Sequence, residues 1–140
     1  MALRVTEGKV IAIEKKPEAV ALIRENRDKF RLGNLEVIEG EAPEAIKELE
    51  KPTHAFIGGS SGNMREIISL LLKMNPDIRI VINCIAMETV AETMGLLKEF
   101  PLKDIDVIQL SVSRAKALGR YHLMMGENPI TIISFTGGEQ

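Results

Sequence analysis

The sequence predicts an α/β fold: a mostly parallel sheet that ends in an antiparallel pair of strands. Three observations carry this. Short β-branched runs alternate with amphipathic stretches four times over, the pattern of parallel strands joined by right-handed crossovers. A glycine–serine turn, Gly58-Gly59-Ser60-Ser61-Gly62, links one such run directly to an amphipathic stretch, as at the ligand edge of an open sheet. The last two apolar runs, residues 105–113 and 130–135, have no helical pattern between them.

Residues 9–14 form the first β-branched run and close on Glu14. Pro17 suits a first helical turn and Glu18 its positive end. Ala19, Leu22, Ile23 and Phe30 fall near one face, with Arg24/Asp28 and Glu25/Lys29 as outward i,i+4 pairs and Gly33 as the stop. The next strand is residues 35–39, followed by a turn at Gly40-Glu41-Ala42-Pro43 and a short helix to about residue 49. Residues 54–57 lead into the glycine turn. Asn63 and Glu66 have capping-box spacing ahead of a helix that buries Met64, Ile67, Ile68 and Leu71; Asn75-Pro76 ends it. Residues 79–84 are a fourth strand, and residues 87–100 a helix expected to bury Met87, Val90, Ala91, Met94 and Leu97. Residues 114–126 read as a basic, irregular stretch between the two last strands.

A chain of 140 residues, 45% of them hydrophobic, is the size of one domain. The net charge of −2 argues against a general nucleic-acid binder. No apolar run reaches the roughly 20 residues that cross a membrane. A single cysteine, Cys84, excludes an internal disulfide and fits a reducing, cytoplasmic compartment. The scarcity of aromatic residues points to an aliphatic core, with the methionines at helical spacing (Met64, Met87, Met94) as core filling.

Glu14 ends a strand, where a carboxylate can accept from the vicinal hydroxyls of a ribose. Such an acid ordinarily follows a glycine turn by about 20 residues, yet only thirteen precede Glu14 and none make G-x-G. The first strand and its glycine loop are therefore expected upstream of Met1, making residues 1–140 one N-terminally truncated domain. Glu41 stands at a helix N-terminus. Arg114, Lys116 and Arg120, with Tyr121 and His122, form the one local basic cluster and suit a ligand with several carboxylates. Each of these has a plain reading too: solvated acids at a strand end and a helix start, and a basic loop or subunit contact. Cys84 has no base at motif spacing and reads as a small buried hydrophobe. His54 and His122 lack companions at ligand spacing, so no metal site is expected.

Several phrases in register carry a family resemblance: Val10-Ile11-Ala12-Ile13-Glu14-Lys15-Lys16-Pro17-Glu18-Ala19, Glu39-Gly40-Glu41-Ala42-Pro43-Glu44-Ala45, Phe56-Ile57-Gly58-Gly59-Ser60-Ser61-Gly62 and Asn128-Pro129-Ile130. Over almost its whole length the chain resembles the decarboxylating precorrin methyltransferases of cobalamin biosynthesis, which also occur as the C-terminal half of precorrin-6Y C5,15-methyltransferase. The resemblance implies a Rossmann-like, class I methyltransferase fold that uses S-adenosyl-L-methionine to methylate a precorrin, a tetrapyrrole, with loss of carbon dioxide from an acetate side chain. By position it implies Glu14 at the cofactor ribose, Glu41 and Ala42 at the adenine, and Gly58 and Gly59 at the methionine portion. Ser60, Ser61, Gly62 and Asn63 would face the macrocycle, and Arg114, Arg120 and Tyr121 its carboxylates. No side chain is singled out as catalytic. Family members form homo-oligomers, so residues 114–126 are alternatively a subunit interface. Position 41 is Glu where the family pattern has Asp. The competing reading is a non-catalytic α/β fragment that assembles through an exposed sheet edge and binds no cofactor. A phosphoacceptor receiver domain is disfavoured, because the strand ends carry Glu14, Glu39 and Cys84 in place of an aspartate cluster.

Overall fold

The computed structural model describes residues 1–60 and 62–138. Along them run strands β1 (Val10–Glu14), β2 (Leu35–Glu39), β3 (His54–Ile57), β4 (Arg79–Cys84), β5 (Leu102–Leu110), β6 (Ser113–Leu118), β7 (Tyr121–Gly126) and β8 (Ile130–Gly137). Helices α1 (Pro17–Lys29), α2 (Met64–Met74) and α3 (Met87–Leu96) alternate with the early strands. The chain divides into two compact units, Met1–Leu49 and Glu50–Gln140.

In the first unit β1 and β2 pair in parallel, from Val10 opposite Leu35 to Glu14 opposite Glu39. The crossover between them is α1, which starts with Pro17 at its first turn. Its inward stripe is Val20, Ile23 and Arg27, spaced three and four apart. Of the expected stripe, Ala19 and Ile23 are half-buried, whereas Leu22 and Phe30 are 56% and 52% exposed. Lys29 lies over the Phe30 ring, 5.9 Å from its centre, and shields one side of it. Asp28 pairs with its neighbour Arg27 at 3.0 Å, not with Arg24. After β2 the expected helix to residue 49 shortens to a single 3-10 turn, Glu44–Ile46, anchored by buried Ile46.

The second unit is built on a four-stranded sheet in the order β3–β4–β8–β5. β3 and β4 are parallel, and β8 runs antiparallel to both β4 and β5. The expected antiparallel pair thus forms one end of this sheet, with β5 outermost. Alternation puts Ile80, Ile82 and Cys84 of β4 on one face with Ile133 and Phe135 of β8, all essentially inaccessible. α2 buries Met64, Ile67, Ile68 and Leu71, the four residues its periodicity marks. Asn63 occupies the N-cap position and its carbonyl accepts from Ile67 N–H at 3.0 Å, but its side chain makes no cap hydrogen bond.

Two expectations in this unit are corrected. α3 ends at Leu96 and buries Thr93 and Leu96, while Met87 is 83% exposed and Met94 also reaches solvent. Thr93 can occupy the inner face because its hydroxyl donates to the Thr89 carbonyl at 2.8 Å. Residues 113–126 are not irregular: β6 and β7 form a hairpin, from Ser113 opposite Gly126 to Leu118 opposite Tyr121. Gly119, with φ +58°, supplies the left-handed residue its two-residue turn needs. The hairpin continues the β5–β8 pair into a ribbon whose residues 104–129 are all exposed. At the ribbon's root β5 carries a bulge between Lys103 and Asp106, with Asp104 at φ 53°. Arg79 pins this bulge, donating to the Asp104 carbonyl (3.1 Å), Thr136 Oγ1 (3.2 Å) and Ser134 Oγ (2.9 Å).

Candidate active site

In an open α/β sheet the strands' carboxyl ends are where ligands bind, because loops and helix N-termini gather there. In the first unit those ends carry acids. Glu14 and Glu39 stand side by side as the last paired residues of β1 and β2. One Glu14 oxygen, Oε1, accepts from Lys16 N–H at 2.9 Å, which fixes the carboxylate and leaves its other oxygen to accept elsewhere. The Glu14 carbonyl accepts from Gly40 N–H at 3.0 Å, drawing the turn after β2 back to the end of β1. On that turn Glu41 Oε1 lies 2.8 Å from Lys15 Nζ, and half-buried Ala42 follows it. Glu14, Glu41 and Ala42 are therefore brought together with Glu39 and Lys15, two residues absent from the expected site. Glu39 was legible as a strand-end acid; Lys15 was not, because its partner is twenty-six positions away.

In the second unit the glycine turn leaves the end of β3. Gly62 has φ +88°, so glycine is required there by the backbone itself. Gly58 and Gly59 differ. A Cβ on Gly59 would meet no atom within 4 Å, and one on Gly58 would make only ordinary contact, 3.4 Å, with the Phe56 ring. Among the described residues nothing demands their bare backbone, so what it provides is open space in front of the strand. Ser60 accepts from Asn63 N–H at 2.9 Å through its carbonyl and closes the turn into α2. Ser61 lies outside the described residues.

Farther along the second unit, Arg120 and Tyr121 occupy the tip of the β6–β7 hairpin. The Arg120 guanidinium donates to the Tyr121 hydroxyl at 3.1 Å and lies over its ring, 5.3 Å from the centre. Arg114 sits lower on β6 and pairs with Glu127 at 3.4 Å. Cys84 is buried, 3.8 Å from Thr93 Oγ1, and burial raises its thiol pKa above the ordinary value. A thiol held neutral is a packing group, not a nucleophile. Among the described residues no group of three His, Cys, Asp or Glu is placed to hold a metal ion, and no helix is long and apolar enough to cross a membrane.

Comparison with known proteins places this geometry. A family model described as the precorrin methyltransferase domain matches residues 1–137. A probable cobalt-precorrin-6B C(15)-methyltransferase (decarboxylating) of Methanothermobacter thermautotrophicus is 34% identical over 131 residues, spanning 92% of this chain and 67% of that protein. The chain spans about two thirds of the length of the curated relatives it matches. Among solved structures, precorrin-6Y C5,15-methyltransferase from Geobacter metallireducens superposes with a TM-score of 0.86 at 29% identity, covering 96% of this chain and 71% of that one. A SAM-dependent O-methyltransferase from Thermotoga maritima shares the fold alone, with a TM-score of 0.71 at 20% identity over 95% of this chain and 51% of that one. With its acids at the ends of parallel strands, its glycine turn and a match running from residue 1 to residue 137, the chain belongs to the precorrin methyltransferase domain family.

Proposed function

We propose that this chain methylates a precorrin at C15 from S-adenosylmethionine, with loss of carbon dioxide from an acetate side chain, as a cytoplasmic homo-oligomer. The observation that carries the reading is the fixed carboxylate of Glu14 at the end of β1, in a chain matched to this family over residues 1–137. When bound, S-adenosylmethionine supplies an electrophilic methyl group on a sulfonium. The residues present fit the nucleoside part of that group. Glu14 has one oxygen oriented by Lys16 N–H and one to offer a ribose hydroxyl. Glu41 and Ala42 take the adenine end, and Lys15, paired to Glu41, holds that carboxylate in place.

Gly58 and Gly59 are assigned to the methionine portion of the cofactor, and the substrate side to Ser60, Ser61, Gly62 and Asn63 and to the hairpin tip. The bare backbone of Gly58 and Gly59 leaves room for the methionine portion at the end of β3. Arg120, hydrogen-bonded to the Tyr121 hydroxyl, offers its remaining guanidinium donors to the macrocycle's carboxylates. Transfer of this kind depends on alignment of donor methyl and acceptor carbon, so the protein's share is positioning. The cytoplasmic assignment rests on Cys84, a reduced and buried single thiol.

Calorimetric titration with S-adenosylhomocysteine tests the reading. Saturable binding is expected, and Glu14→Gln should weaken it about tenfold to a hundredfold, the worth of one charge-assisted hydrogen bond. Glu36→Gln, on the same strand pair but away from its carboxyl end, should leave it unchanged. Absence of heat with the unaltered chain would refute cofactor binding and favour the non-catalytic fragment. Unaltered affinity in Glu14→Gln would remove Glu14 from the site.

A further inference from the structure

We infer that Ile85 and Met87, with the Phe56 ring beside them, form an apolar platform on which the tetrapyrrole lays one face, an inference that rests on the precorrin methyltransferase reading of this edge. β3 and β4 run in parallel, with Ile57 opposite Ile82, so the chain leaves both strands at the same edge, roughly 4.8 Å apart. On the β3 side that edge carries Gly58 and Gly59. On the β4 side Cys84 leads into Ile85, Ala86 and Met87, where α3 begins.

This stretch is apolar where the fold favours polarity. Ile85 is 63% exposed and Met87 83%, the highest value for a large hydrophobic side chain among the described residues. Ala86, also exposed, stands at the N-cap of α3 and has no side-chain oxygen to accept from the first N–H groups of the helix. A serine or aspartate in its place would stabilise the helix by about 1 kcal/mol. Neither the core nor α3 accounts for three exposed apolar residues in a row, whereas a ligand with an apolar face does. Phe56 extends the surface toward β3: its ring is 51% exposed and comes within 3.4 Å of where a Cβ on Gly58 would stand.

Position selects the occupant. Methyl transfer needs the acceptor carbon about 3–3.5 Å from the reacting methyl, and the methionine portion of the cofactor is assigned to Gly58 and Gly59. The molecule that accepts the methyl must therefore reach this edge, and on the β4 side it meets Ile85 and Met87. A tetrapyrrole brings a broad apolar face and a rim of carboxylates. Aliphatic side chains take the face by burial. A thioether adds a polarisable contact with a conjugated ring, and its rotatable bonds let it follow a puckered one. Glu88, in the first turn of α3, repels carboxylates, so the rim points away from that helix. Both side chains bind and orient; neither takes part in a bond change.

Two measurements test the platform. In the first, cobyrinic acid, a corrin whose side-chain carboxylates are free, is equilibrated with the protein by dialysis and read by its visible absorbance. The unaltered chain should bind it saturably. Met87→Gln keeps the length of the side chain and removes its apolarity, so it should weaken binding at least about tenfold, as should Ile85→Ser, while Met87→Leu stays within about threefold. Affinity for S-adenosylhomocysteine should be the same in every variant. In the second, dilute hydrogen peroxide oxidises the methionines of the unaltered chain and mass spectrometry of its peptides locates the sulfoxides. Bound cobyrinic acid should slow oxidation of Met87 but not of Met94, which is 39% exposed and lies about 10 Å farther along α3. Corrin affinity unchanged in Met87→Gln and Ile85→Ser, a Met87→Leu protein as weak as Met87→Gln, or equal protection of Met87 and Met94 would each overturn the platform and leave the methyltransferase reading standing. Absence of corrin binding to the unaltered chain would overturn the platform together with the substrate side of that reading, and heat with S-adenosylhomocysteine would then show that the cofactor side survives.

Discussion

Gly137 packs directly against the backbone at Pro76. A Cβ built there lies 2.1 Å from the Pro76 carbonyl oxygen, 2.6 Å from Leu72 Cδ2 and 3.0 Å from the Pro76 carbonyl carbon. An ordinary carbon–oxygen contact is roughly 3.3 Å, so Gly137→Ala must move one backbone by about 1 Å. Leu72 can rotate away; the Pro76 peptide cannot. The same displacement strains the Gly137 N–H bond to the Ile78 carbonyl, 2.9 Å long and at a buried residue. Overpacking costs about 1–3 kcal/mol and a lost buried hydrogen bond a similar amount. A loss of about 3 kcal/mol is expected, which lowers Tm by ~12 °C in a chain of this size. Gly95→Ala supplies the contrast. Gly95 lies in α3 with nothing within 4 Å of a Cβ, and alanine there should gain up to about 1 kcal/mol of helix propensity. Both variants are read by thermal unfolding followed by circular dichroism. A Gly137→Ala protein that melts with the unaltered chain would show that the Pro76 turn yields freely, and the close-approach reasoning would fail.

Two further outcomes follow from burial. Met64 is fully inaccessible and Met87 is 83% exposed, so Met64→Ala should cost about 2–5 kcal/mol while Met87→Ala stays within about 0.5, measured by urea unfolding. Burial raises the Cys84 pKa, so the folded state favours the neutral thiol; that stability is complete below the ordinary value of 9.0 and is lost as pH climbs past it. The stability difference between the unaltered chain and Cys84→Ala, compared at pH 7 and pH 10, should accordingly narrow, and a constant difference would contradict a raised pKa.

What could be read from the sequence divides along physical lines. β4 and the buried face of α2 were legible to the residue, because an aliphatic core makes burial and hydrophobicity coincide. α3 was not: its inner face uses a threonine that satisfies its own hydroxyl, while a methionine faces water. The β6–β7 hairpin escaped for the opposite reason. With both faces exposed, Arg114, Lys116, His122 and Leu123 follow no core pattern, and only Gly119 marks the turn. In the candidate site, the place of Glu14 at a strand end was legible, whereas Glu41 precedes only a single 3-10 turn and not the helix its spacing suggested. The Lys15–Glu41 pair was not legible, because it depends on how the turn after β2 folds back.

The position of β8 bears on when this molecule can fold. β8 lies between β4 and β5, and its Ile133 and Phe135 complete the core opposite Ile82 and Ile80. Translation delivers β4 and β5 first, each with an edge that only β8 fills. Until residue 137 has left the ribosome, Ile80 and Ile82 lack their opposing side chains and β4 presents an apolar, unpaired edge. The second unit is thus a late-closing fold, and a chaperone that occupies nascent aliphatic strands would find its substrate in β4.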